Sequence, residues 1–205
     1  SNIIMKFTCT KKPLKTTSNK KKQSVKGNKI YMPGDISRFL EAQAHGLNKG
    51  RYKKYINDKK KVPLDREGIG KNYATAIADL KDKKKVKKST HYIWYVFPQP
   101  KKGPGGSSTT QFFFITENEV ISFLNHRTLR KRLLECLEAL KSRNLNTRDK
   151  LRKYLSTDVD FDKFSNFVNF FIKVIKKDTS NKIVRDGTFN KINGYIIFYQ
   201  KNNIT

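Results

Sequence analysis

His91, Trp94, Tyr95 and Gln99 stand close together in the stretch Ser89-Thr90-His91-Tyr92-Ile93-Trp94-Tyr95-Val96-Phe97-Pro98-Gln99. A histidine exchanges protons near neutral pH, and a glutamine amide orients a polar ligand. Indole and phenol rings give a base a face to stack on. If the segment is helical up to Pro98, the four side chains form a nucleotide-type pocket, in which His91 and Gln99 are the candidates for catalysis. The alternative is a buried His91 that hydrogen-bonds a facing loop and locks the fold, and packing is the favoured reading of the two. No Cys or Asp stands at a spacing that completes a recognised catalytic set, so the expectation leans away from an enzyme.

The run that follows adds anion-binding chemistry. Lys101 and Lys102 supply charge, and within the run to Ser108 the consecutive glycines from Gly105, followed by Ser107, expose backbone N–H groups that form an anion-holding turn. It is not a nucleotide P-loop, because the Gly-Lys-[Ser/Thr] ending is missing. The plainer reading is a surface turn. His45, His91 and His126 form no zinc pattern with Cys9 or Cys136, and carboxylates are few and scattered, so neither metal nor cofactor is expected.

Basic segments are the better functional signal. They are the N-terminal stretch with Lys20, Lys21 and Lys22; Arg51, Lys53, Lys54, Lys59, Lys60 and Lys61; Lys84, Lys85, Lys87 and Lys88; Arg130 and Lys131; and residues 148–153. Lysine contacts phosphate without reading bases. Tyr52 and Tyr55 interleave with the cations and offer stacking surfaces. No zinc-finger, basic-zipper or RNA-recognition signature is present, so sequence-specific readout is not expected.

The total charge says the same. The chain carries 45 Lys and Arg against 17 Asp and Glu, a net +28 over 205 residues. Such a surface repels itself and favours a polyanionic partner, most often nucleic acid. The excess of Lys over Arg suits an A/T-rich genome, such as that of a large DNA virus or a protist. That bias does not account for the scarcity of acids. An apolar content of 36% with 14 Phe and 9 Tyr is enough for a real core. Two cysteines cannot build a disulfide framework, no apolar run reaches the length of a membrane span, and the first residues show no signal-peptide pattern. An intracellular protein is expected.

The elements that must position these groups are mostly helical. Residues 1–34 hold nine Lys and no acid and read as a mobile basic tail. Asp35 can cap a helix with Ile36, Phe39 and Leu40 on one face, fading near Gly46. Residues 46–70 read as a basic inserted arm, broken by Pro63, Gly68 and Gly70. A helix fits 71–84, with Tyr73, Ala76, Ile77 and Leu80 inward. By propensity alone His91–Phe97 is a buried strand. Thr116-Glu117-Asn118-Glu119 is a capping box opening a helix with Val120, Ile121, Phe123 and Leu124. Leu129, Leu133, Cys136, Leu137 and Leu140 mark another from about Thr128. Phe161, Phe164, Val168, Phe171 and Ile175 place a central helix over 160–177. Gly187, Asn193-Gly194 and the run Tyr195–Tyr199 suggest a small hairpin or an extended strap.

These segments resemble the family known as domain of unknown function 1810, small and mostly helical intracellular proteins. The matching stretches are Asp35 to Gln43, Tyr73 to Leu80, Ser89 to Gln99, Phe123-Leu124-Asn125-His126, Leu129, Arg132-Leu133 and Asp160 to Phe164. The resemblance implies that His91–Phe97 is helical, against its strand propensity, and that implication is adopted. Tyr92 stands where the family usually has an aromatic, commonly Trp, and Gly103-Pro104-Gly105 replaces its Gly-Leu-Gly loop. The family brings no established reaction.

The expected fold is mainly α, a compact multi-helix single domain with a basic N-terminal tail and a small C-terminal β hairpin or strap. The tail spans 1–30, the helical core 31–178 with its insert at about 46–70, and the C-terminal extension 179–205. The expected function is nucleic-acid binding without sequence preference, in a packaging, virion- or nucleoid-associated setting. Two other functions stand beside it: an enzyme or sensor for a nucleotide-like small molecule at His91 and Gln99, and an interaction module for an acidic protein partner.

Overall fold

The computed structural model describes residues 36–47, 70–100 and 113–202. The tail at 1–30, the arm at 48–69 and the turn at 101–112 lie outside the described residues, and Asp35 with them. Eight helices are seen among those described: α1 (Ser37–His45), α2 (Tyr73–Lys81), α3 (Ile93–Val96), α4 (Glu117–Asn125), α5 (Arg127–Ser142), α6 (Arg148–Leu155), α7 (Asp158–Lys177) and α8 (Gly187–Lys201). The fold is mainly α, and no sheet is formed among the described residues. One isolated parallel bridge joins Gly70 and His91.

Local chemistry sets the helix starts. Asn72 accepts from Thr75 N at 3.0 Å, Thr157 from Asp160 N at 3.1 Å, and Asp186 from Phe189 N at 2.9 Å. Thr116 and Glu119 form the expected capping box, with both reciprocal hydrogen bonds in place. Gly46, at φ 72°, ends α1, and Ser156, at φ 65°, ends α6 so that α7 leaves in a new direction.

α5 and α7 organise the core. α5 packs against α2, α4 and α8, and α7 against α3, α4, α6 and α8. Phe164, Phe167, Val168 and Phe171 of α7 are fully buried. The Phe167 and Phe171 rings lie 4.5 Å apart, and Phe97 meets Phe164 edge to face at 5.1 Å.

Two sequence expectations change. The C-terminal hairpin or strap is instead the helix α8, because Phe189, Ile192, Ile196 and Tyr199 share the face turned to α5 and α7 and are all buried. Gly194 faces open space, so it breaks nothing. The segment 148–153, read only as a charge run, is the first part of α6, which buries Leu151, Tyr154 and Leu155. The helical reading of His91–Phe97 holds as a single turn at Ile93–Val96 in the middle of the core, touching α1, α5 and α7.

Candidate nucleic-acid interface

The one-turn helix α3 pulls the expected pocket residues in different directions. The Tyr95 hydroxyl donates to Lys71 O and to His91 O, the latter at 3.0 Å, so Tyr95 is a buried clamp. The Gln43 amide donates to Tyr95 O at 2.8 Å. Gln99 is buried and accepts from Asn166 Nδ2 at 3.3 Å. His91 and Trp94 stay together, stacked at 5.8 Å with 12° between their planes. The Trp94 Nε1 atom is buried and has no hydrogen-bond partner among the described residues. Lys101, Lys102, Gly105 and Ser107 lie outside the described residues.

Beneath Trp94 sits a buried charge cluster that sequence reading did not find. Asp160 receives Lys88 Nζ at 2.7 Å and Lys163 Nζ at 3.1 Å, and the side chains of all three are less than a tenth exposed. Lys163 Nζ also lies 4.5 Å from the centre of the Trp94 ring. Burial raises the Asp160 carboxyl, but Lys88 and Lys163 outweigh it and hold the group below the usual carboxylate range. Lys88 Nζ further donates to Thr90 O at 2.9 Å and Lys88 N to Tyr154 O at 2.6 Å. Lys88 therefore ties the 82–90 turn to α6 and α7, and its charge does not face solvent.

The remaining lysines of that turn do face solvent. Lys83, Lys84 and Lys87 are exposed, as are Lys150 and Lys153 of α6. The fold sets the turn beside α6 through Arg143, at the C-terminal end of α5. Its guanidinium donates to Leu80 O at 3.3 Å, to Asp82 O at 2.5 Å and to Lys85 O, and it lies over the Tyr154 ring at 4.3 Å. Asp79 holds the turn from the other side. It accepts Lys85 Nζ and Ser89 Oγ, each at 2.6 Å, and the Tyr92 hydroxyl at 3.3 Å. Burial raises the Asp79 carboxyl, and Lys85 and Ser89 reverse that and leave it lowered.

Between the turn and α6 opens a cleft of about 440 Å³, lined by Lys83, Lys85, Arg143, Lys150 and Lys153 with Val86, Leu145 and Tyr154 among the rest. No Asp or Glu is among the described residues that line it. Among the described residues, Lys83, Lys150 and Lys153 have no carboxylate partner. Two basic segments far apart in sequence are thus brought to one place.

Other expected contacts lie elsewhere. Arg130 donates to Val184 O at 3.0 Å and to Asp186 Oδ2 at 2.7 Å, which locks it to the start of α8. Lys131 is three-quarters exposed on α5 and 4.0 Å from Glu135. Lys20, Lys21, Lys22, Arg51, Lys53, Lys54, Lys59, Lys60 and Lys61 lie outside the described residues. Among the described residues no group of His, Cys, Asp or Glu is placed to hold a metal ion, and no helix is long and apolar enough to cross a membrane.

No curated protein matches the chain. Its fold is similar to the crystal structure of a conserved hypothetical protein, Rv1873, from Mycobacterium tuberculosis. The TM-score is 0.52 at 19% identity, over 83% of this chain and 91% of that one. At that identity the likeness speaks for the fold alone. The sequence itself goes further: residues 65–191 match the family described as "Protein of unknown function (DUF1810)", and with more than half of its length covered the chain belongs to that family.

Proposed function

We propose that this protein binds nucleic acid through phosphate contacts, without sequence preference. The observation that carries the reading is the cleft between the 82–88 turn and α6, where five cations converge and none of the described lining residues is a carboxylate. Burial and hydrogen bonding place Lys85 and Arg143 in the frame, and exposed Lys83, Lys150 and Lys153 are the phosphate contacts. The net charge of +28 gives the long-range attraction. A packaging or virion- or nucleoid-associated role belongs to the same proposal, as does an intracellular site, which suits the buried free thiol of Cys136.

The test is titration of a labelled duplex and a labelled RNA at several salt concentrations. If ~6 phosphates are neutralised, affinity falls about a thousandfold between 50 and 200 mM salt. Binding that ignores salt, or none at low salt, sinks the proposal. Displacement of the nucleic acid by polyglutamate at equal charge points instead to an acidic protein partner.

A second reading rests on Trp94. Its buried, unpartnered Nε1, the stacked His91 and the nearby Lys163 ammonium are groups that a nucleotide-like small molecule engages. Calorimetric titration with free nucleotides tests it. Heat of binding that His91→Ala abolishes while the melting temperature is unchanged supports this reading over packing.

A further inference from the structure

The cleft's shape and lining say what form of nucleic acid fits, an inference that rests on the phosphate-binding reading above. Its volume of about 440 Å³ falls within the ~300–1,000 Å³ of sites that enclose a single small molecule. A duplex cannot enter a space of that size. It carries its phosphates on the outside of a wide cylinder whose own grooves admit protein elements. One flexible strand can lie in such a space.

The cations stand on both sides of the gap. Lys83 and Lys85 come from the turn, while Lys150 and Lys153 are spaced i, i+3 on one face of α6. An anionic chain lying between two such walls meets positive charge on either side. The cleft also has an apolar component. Val86 belongs to the lining and is 76% exposed, the most exposed of the large hydrophobic side chains described. Single-strand grooves join basic walls that track the backbone to side chains that pack against the bases, usually aromatic rings; here Val86 offers van der Waals contact in place of a ring. The frame is preformed, because Arg143 holds the Leu80 carbonyl of α2 and the Asp82 and Lys85 carbonyls of the turn, and Asp79 holds Lys85 and Ser89.

We propose that this cleft is a binding site for single-stranded nucleic acid, with the phosphodiester backbone between Lys83 and the Lys150–Lys153 face and a base resting on Val86. The contacts are to phosphate and to the face of a base, so the site accepts any sequence.

The experiment uses the full chain, with fluorescence anisotropy of a labelled oligo-dT of about 16 nucleotides, within the span of one single-strand site. The comparison probe is the duplex of oligo-dT with oligo-dA at the same length. The strand is expected to bind about tenfold tighter than the duplex at equal salt, which is ~1.4 kcal/mol and within the ~1–3 kcal/mol of a single base contact. Lys150→Glu with Lys153→Glu should erase that preference and lower the log–log salt slope by about 2. Lys176→Glu with Lys201→Glu makes the same charge change at exposed positions outside the lining and should leave the preference intact. Thermal melts confirm that both double variants are folded. Hydrogen exchange gives a readout without mutation, with oligo-dT expected to protect amides in 82–87 and 143–153. Equal affinity for strand and duplex, equal effects of the two double variants, or protection confined to other segments overturns the single-strand site and leaves the general phosphate binding standing. Failure of both probes to bind at low salt overturns both.

Discussion

Replacing Asp160 with Asn removes one negative charge and leaves two buried ammonium groups without the carboxylate they share. The side chains of Lys88, Lys163 and Asp160 are 3%, 8% and 6% exposed, so solvent does little to screen the change. Removing one partner of a buried pair costs about 3–5 kcal/mol, mainly because a charge is left uncompensated. The lysines set a ceiling on that cost, since either can lose its proton at about 1.4 kcal/mol per unit of pKa depression. A loss of about 3–5 kcal/mol at pH 7 is expected, which lowers the melting temperature by roughly 6–20 °C for a chain of this size. The pH dependence identifies the cause. In the variant a lysine pKa falls below its unfolded value, so the unfolded chain binds more protons and stability rises as pH rises. In the parent the lowered Asp160 carboxyl contributes stability that is present above its unfolded pKa. That contribution is lost as pH falls through the lower folded value. Urea denaturation of both proteins at pH 7 and in the alkaline range is the assay. A variant within half a kcal/mol (~0.5) of the parent at pH 7, or one whose deficit does not shrink in alkali, refutes the account.

Three further outcomes are expected. Gly46→Ala combines a left-handed φ of 72° with a Cβ that would lie 2.6 Å from Gly70 O, so chemical denaturation should show a loss of about 2–4 kcal/mol. Ser156→Gly relieves the same backbone conformation at the α6–α7 corner, where φ is 65°, and should raise stability by about 0.5–1 kcal/mol in the same assay. His91→Ala removes the stack on Trp94 and should cost about 1 kcal/mol in thermal melts, while oligonucleotide affinity of the folded protein stays unchanged.

What the sequence revealed follows from the range of the forces involved. The Thr116–Glu119 capping box and the apolar stripes of α5 and α7 are local patterns, and they form the elements expected of them. In α8 the composition of the run Tyr195–Tyr199 and the presence of Gly194 favour a strand or strap. The spacing of Phe189, Ile192, Ile196 and Tyr199 carried the helical signal. α6 was hidden by its own charge, although Leu151, Tyr154 and Leu155 sit at helical spacing within it. In the run 81–88, Lys88 looks like any other lysine. Only the arrival of Asp160 from a distant helix makes it a buried partner rather than a surface contact. The cleft was out of reach for the same reason, since Arg143 at the end of α5 decides where the turn and α6 meet.

Leu47 N donates to Gly70 O at 3.1 Å, so the chain leaves α1 and returns toward α2 through touching backbone atoms. A Cβ at Gly46 would lie 2.6 Å from Gly70 O, and one at Gly70 would run into the buried Leu47 side chain, so the seam closes on main chain at one glycine and on a core leucine at the other. The two sides of this seam are thus joined directly, by groups that belong to the described core. Loop-closure cost grows only slowly with length. A change in the number of residues between these two points therefore costs the α1–α2 seam little, because the seam is closed by its own main-chain hydrogen bond.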